Sequence, residues 1–248
     1  MQFRRDPQGS ADGKSCETLR PRSPAGRGET KRGSLQAMFP LMLDLTDRLG
    51  VVIGGGPVGR RKANALLAAG AHVRLVCLEP RPAEECSAAL TWLTESYRAA
   101  HLEGAALVFA AAPPVNRQVV ADARAQGLWV NVADDPAASD FHLPAVVRRG
   151  PLVMAVSTGG AAPALARVIR GRLESLFDEA FGQWVALLAE LRPLVQATVP
   201  DRQRRQAVFE RLAADEWLER LREQSVDAVR AAMRAAVATL AVDPNQPL

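Results

Sequence analysis

The stretch "VVIGGGPVGRRKA", residues 51–63, sets three consecutive glycines between a β-branched apolar run and a basic, alanine-rich run. An unbroken run of Val and Ile reads as a strand buried on both faces, and the run after the glycines has helical spacing. A strand that enters a helix through a glycine turn is the unit from which parallel sheets are built. Gly54, Gly56 and Gly59 satisfy G-x-G-x-x-G in the context that this pattern requires. One glycine permits the tight turn, one lets a pyrophosphate approach the backbone, and one lets helix and strand pack closely. The N–H groups at the helix start then favour negative phosphates. A bare glycine-rich turn satisfies the same pattern; the strand before it and the helix after it favour the dinucleotide cradle.

The rest of the chain supports a sheet of that kind. A helix is expected over 58–69, stopped by Gly70, and a second strand at "HVRLVCL". "LTWLTES" and "GAALVFAAA" read as a third and a fourth strand, "VNRQVVADARAQ" as a helix and "LWVNVA" as a fifth strand. This alternation predicts a parallel sheet with right-handed crossovers. "MFPLMLDLTDRL", before the glycine turn, reads as a short strand and turn; "FHLPAVVRRG" and "PLVMAVS" read as two later strands. A helix from about Pro163 puts Leu165, Val168, Ile169, Leu173 and Leu176 on one face. Beyond it the chain is helical to its end, and Pro193 and Pro200 are expected to break it into pieces.

Four regions follow. Residues 1–37, rich in Arg, Gly, Pro and Ser, are expected to be a disordered leader, with Met38 the true start. Residues 38–147 form the nucleotide-binding domain, 148–178 a connecting segment, and 179–248 a helical C-terminal domain.

Composition narrows the function. Cys16, Cys77 and Cys86 show no paired spacing, and His72, His101 and His142 are far apart. The cysteines therefore read as reduced thiols of a cytoplasmic protein, and no preformed metal site is expected. No apolar run is long enough to span a bilayer. The net charge of +4 and pI near 9.4 allow nucleic acid or a small polyanion as partner. The arginines are not interleaved with aromatic residues for base stacking, which favours the small polyanion over nucleic acid.

The glycine pattern also asks for an acid near the end of the second strand. Glu79, just past Leu78, meets it and would favour NAD over NADP, because its charge disfavours a 2′-phosphate. The alternative is a solvated glutamate before Pro80.

Three motifs in order carry a resemblance: GGG-x-V-x-x-R-K at 54–62, N-V-x-D-x-P at 131–136 and S-x-G-G-x-x-P at 157–163. With them, residues 39–177 resemble the siroheme synthase family, in particular its precorrin-2 dehydrogenase/sirohydrochlorin ferrochelatase module. The resemblance implies an α/β fold: a Rossmann-type parallel sheet, a dimerisation segment over 148–178, and a small all-helical domain. It implies NAD as cofactor, precorrin-2 and sirohydrochlorin as tetrapyrrole partners, Fe²⁺ as a further substrate where a member chelates, and a homodimer. It places Pro57 and Val58 at the cofactor turn, Leu78 and Glu79 at a second cofactor contact, and Asp134 at the key acidic position. Asn131, Ser157 and Thr158 follow as substrate contacts. Thr158 falls where some members have a phosphorylatable serine. Family members often carry a uroporphyrinogen methyltransferase domain; none is expected within these 248 residues.

Chemistry agrees with the implied acid. Dehydrogenation releases a proton, and a carboxylate at the carboxyl end of a parallel strand is placed to accept it. Asp135, Asp140 and His142 are the alternatives nearby, and Asp134 could equally be a turn aspartate. The same carboxylate could handle pyrrole protons or metal during chelation. The serine–threonine turn at 157–158 offers donors to substrate carboxylates or simply caps the next helix. Arg148, Arg149, Arg167 and Arg170 could add charge to that rim. Two other readings stand beside this one: a non-catalytic NAD-sensing module, and an NAD dehydrogenase of unrelated substrate.

Overall fold

The apolar run ahead of the glycine turn forms the middle of a parallel sheet. The computed structural model describes residues 38–242. Strands β1 (Leu49–Ile53), β2 (His72–Cys77), β3 (Leu90–Thr94), β4 (Ala105–Ala110) and β5 (Trp129–Val132) lie in the order β3-β2-β1-β4-β5, all parallel. Helices α1 (Pro57–Leu67) and α2 (Asn116–Ala125) and a short 3-10 turn at Ala99–Leu102 carry the crossovers. Successive residues of a strand face opposite ways. Val51 and Ile53 therefore join one buried cluster with Val119 and Ala123 of α2, and Val52 joins the other with Ala63 and Leu66 of α1.

After the sheet, β6 (Ala145–Arg149) and β7 (Leu152–Val156) pair with each other as an antiparallel ribbon and do not extend the sheet. Helices α3 (Pro163–Leu176) and α4 (Glu179–Thr198) pack on this ribbon. Then α5 (Arg202–Leu212), α6 (Asp215–Glu223) and α7 (Val226–Val242) close a core with α4 around Leu187, Leu191, Leu212, Trp217 and Met233. Among the described residues no helix is long and apolar enough to cross a membrane.

Three expectations need correction or refinement. Residues 38–45 form no strand; only the turn at 46–47 is present. Pro40 removes a ladder donor, and Phe39 and Met42 stay 85% and 68% exposed, so the segment does not pair, and only the half-buried Leu45 packs against the core. Pro193 does not break the helix: α4 runs through it. Leu187, Leu191 and Val195 form a buried stripe at four-residue spacing, and their burial outweighs one lost backbone bond. The helix ends instead at Thr198, two residues before Pro200. The expected apolar face of α3 is also split. Ile169 and Leu173 are half-buried, whereas Leu165, Val168 and Leu176 are 51%, 52% and 66% exposed. The leader expected at 1–37 lies outside the described residues.

Candidate functional site

The strand order reverses between β1 and β4, and ligands of open α/β sheets bind at the carboxyl ends of strands beside such a switch. The glycine turn stands there. Gly54 has φ +116°, and a Cβ on it would lie 2.5 Å from the Ala111 carbonyl oxygen that follows β4. A Cβ on Gly59 would lie 1.9 Å from the carbonyl oxygen of Gly54, so α1 can approach β1 only with glycine there. Gly56 differs from both. It is the N-cap of α1 in extended backbone, Pro57 begins the helix, and beyond its chain neighbours no heavy atom lies within 4 Å of a Cβ placed on it. Two glycines thus close the turn, and the third leaves open space at a helix start with no acidic residue in its first turn. Pro57 is exposed and Val58 half-buried in the first turn of α1.

A fourth glycine, which the sequence pattern left out, joins the turn to β2. A Cβ on Gly55 would lie 2.6 Å from Cys77 Sγ and 3.3 Å from Glu79 Oε2. The Glu79 carboxylate therefore stands beside the glycine turn. Its backbone is anchored: the Glu79 carbonyl accepts from Trp92 Nε1 at 3.0 Å and from Cys77 Sγ at 3.3 Å. Burial pushes the Cys77 thiol above its usual pKa. Leu78, between them, is 72% exposed.

At the other side of the switch, β5 ends in the Asp-Asp-Pro loop, and the structure separates the three aspartates. Asp140 takes the Val130 N–H at 3.1 Å and Arg124 at 3.2 Å. Asp135 Oδ1 caps the Ala138 N–H at 3.1 Å. Both carboxylates thus hold the loop. Asp134 is exposed, accepts no hydrogen bond from a described residue, and sits at φ +61°, a left-handed conformation rare outside glycine. Backbone strain of this kind is held where the surroundings fix it. Below the loop, Asn131 is 8% exposed and spends its Nδ2 donor on the Phe141 carbonyl at 2.9 Å. His142, next to Phe141 in sequence, is half-buried.

Lys62, absent from the sequence-based set of site residues, faces the same region from α1. Its Nζ lies 5.3 Å over the ring of Phe109 on β4. Burial pushes the ammonium below the usual lysine range, Arg61 pushes the same way, and Asp134 opposes them.

Two family models and two relatives show what the chain is similar to. A family model described as NAD(P)-binding matches residues 41–145, and one described as sirohaem biosynthesis protein, central, matches 149–176. A siroheme synthase of Xylella fastidiosa (strain M12) is 40% identical over 210 residues, 82% of this chain and 44% of that protein. One from Chromobacterium violaceum is 38% identical over 212 residues, 83% of this chain and 45% of that protein. The chain is thus similar to siroheme synthases over most of its length, with an NAD(P)-binding match followed directly by a sirohaem-biosynthesis match. It spans about half the length of these curated relatives. A solved structure titled SirC, precorrin-2 dehydrogenase, aligns with TM-score 0.66 and 26% identity, over 82% of this chain and all of that one.

In this chain Gly54, Gly56, Gly59 and Glu79 come together at one end of the sheet, with Asp134 at the end of β5. Ser157 and Thr158 follow the ribbon, in the connection to α3: Ser157 Oγ accepts the Gly159 N–H at 3.2 Å, and Thr158 Oγ1 accepts the Ala162 N–H at 3.1 Å. Ala162 itself is the α3 N-cap and has no side-chain cap. Arg149 is taken up structurally, donating to the Phe177 and Glu174 carbonyls at 2.9 and 3.0 Å. Arg170 pairs with Glu174 at 3.5 Å, while Arg148 and Arg167 are exposed.

Proposed function

We propose that this chain is an NAD-dependent dehydrogenase that oxidises precorrin-2 to sirohydrochlorin, with Asp134 as the proton acceptor. The observation that carries the reading is the pairing of an open, Cβ-free cradle at Gly56 with an uncommitted carboxylate after β5, two strands from β1 across the switch point. The cradle fits a dinucleotide. Gly56 leaves room for a pyrophosphate at the start of α1, where N–H groups and the helix dipole favour it. Glu79, beside Gly55, is placed for an adenosine ribose, and Pro57, Val58 and Leu78 would line the same contact.

When bound, NAD⁺ supplies a hydride acceptor. The substrate then loses a hydride and a proton, and Asp134 takes the proton. Asn131 holds the Phe141 segment under the loop and so fixes the site from beneath. Ser157, Thr158 and the exposed Arg148 and Arg167 supply donors suited to the substrate's carboxylates. The same Asp134 would receive pyrrole protons if Fe²⁺ is inserted into the product to give sirohaem. The exposed apolar residues Leu165, Val168 and Leu176 of α3 favour a homodimer with a two-fold contact at 148–178. Incubation with precorrin-2 and NAD⁺ tests the reading: the absorption spectrum of sirohydrochlorin is expected, and its absence with folded protein overturns it.

A further inference from the structure

Three consecutive basic residues of α1 meet different fates. Arg61 is exposed, and Arg60 stands 3.9 Å from Glu84. Lys62 is half-buried over Phe109, whose ring is 4% exposed and meets Phe141 edge-on at 5.4 Å between centroids. Phe141 is held in turn by Asn131, three residues before Asp134. The ammonium thus rests on an aromatic floor built from β4 and the loop after β5, in the field of Asp134. Lys62 makes no hydrogen bond or salt bridge to another described residue, although its stem is long and flexible. Taking an ammonium partly out of water is unfavourable, and a lysine with no other task extends its head to solvent.

We propose that Lys62 anchors the substrate: its ammonium takes a carboxylate of the polycarboxylate tetrapyrrole and so holds the reacting edge at Asp134. The inference rests on the reading of the site given above. The cofactor phosphates are the less suitable ligand. They belong at Gly56, and Lys62 lies about 9 Å further along the helix at 1.5 Å per residue. It also lies over Phe109 of β4, whereas Glu79 marks the adenosine side at β2.

Titration with sirohydrochlorin tests this without turnover. A charge-assisted contact is worth about 10- to 100-fold in affinity, so Lys62→Met should weaken binding by that factor. Lys62→Arg should restore much of it, and NAD⁺ affinity should not change. The loss should persist in an Asp134→Asn background, because the contact is with the ligand. Lys62→Gln serves as the second variant if Lys62→Met alters the thermal melt. If wild type binds and Lys62→Met and Lys62→Gln bind within about threefold of it, far short of a lost charged contact, the anchor is overturned. A loss that vanishes in Asp134→Asn also overturns it, since Lys62 would then only balance that charge. Wild type that neither binds sirohydrochlorin nor oxidises precorrin-2 overturns the underlying reading instead.

Discussion

The carbonyl oxygen of Gly54 and the α-carbon of Gly59 are so close that a Cβ on Gly59 would fall 1.9 Å from that oxygen. The oxygen is backbone, and the backbone on either side is held by the β1 ladder and by α1. Nothing there can rotate away. Gly59→Ala should therefore cost at least about 1–3 kcal/mol of stability, the usual cost of overpacking, visible as a lower melting temperature.

Gly56 makes the opposite prediction within the same turn. Its φ of −68° suits any residue, and the space at its Cβ is open. Gly56→Asp should melt like wild type, yet place a carboxylate where a pyrophosphate must approach. Calorimetry should find NAD⁺ binding abolished; unchanged affinity in the folded variant refutes the cradle.

These two glycines show how far the sequence could be read. The G-x-G-x-x-G spacing told apart turn, approach and packing, because each role depends on local geometry. The parallel sheet was legible for the same reason, since β-branched runs of strand length alternate with helical spacing. Gly55 and Lys62 stand in the 54–62 motif, but no role for either could be read from it. Gly55 matters through Cys77, 22 positions on, and Lys62 through Phe109 and Asp134, so only tertiary packing reveals their roles. The three aspartates of the β5 loop look alike in sequence. Their backbone partners, Val130 for Asp140 and Ala138 for Asp135, distinguish them. Pro193 misled because local propensity loses to a buried stripe.

Pro193 itself gives a stability test. It is exposed within α4 and cannot donate to the carbonyl of Ala189, one turn earlier. Pro193→Ala supplies that N–H without disturbing the core side. It should add about 1–3 kcal/mol, given proline's cost in a helix interior. Chemical denaturation should show a higher midpoint; an unchanged midpoint means that the helix has already relaxed around the proline.

Cys77 and Cys86 should differ in reactivity. Cys77 is buried, its pKa is raised by burial, and its thiol donates to the Glu79 carbonyl; Cys86 is exposed. Alkylation proceeds through the thiolate, so a raised pKa and lost access act together. Mass spectrometry at pH 8 should find Cys86 modified faster than Cys77. Equal rates would mean that the end of β2 opens readily.

Asp134 gives the sharpest test, and its backbone decides the variant. At φ +61° an alanine would be strained, so Asp134→Ala mixes lost charge with a conformational cost. Asparagine tolerates the left-handed region and matches aspartate in shape. Asp134→Asn should keep the melting temperature and the NAD⁺ affinity, since Gly56 and Glu79 are untouched. Loss of a positioned general base costs about 10²–10⁴-fold, so dehydrogenation of precorrin-2 should fall by that order. Asp140→Asn and Asp135→Asn should behave differently. Their carboxylates hold Val130, Arg124 and Ala138, so loss should appear first in stability. Turnover of Asp134→Asn within about threefold of wild type, far short of a lost base, would sink the assignment. The half-buried His142 would then be the next group to test, because Asp135 and Asp140 are already engaged by the loop backbone.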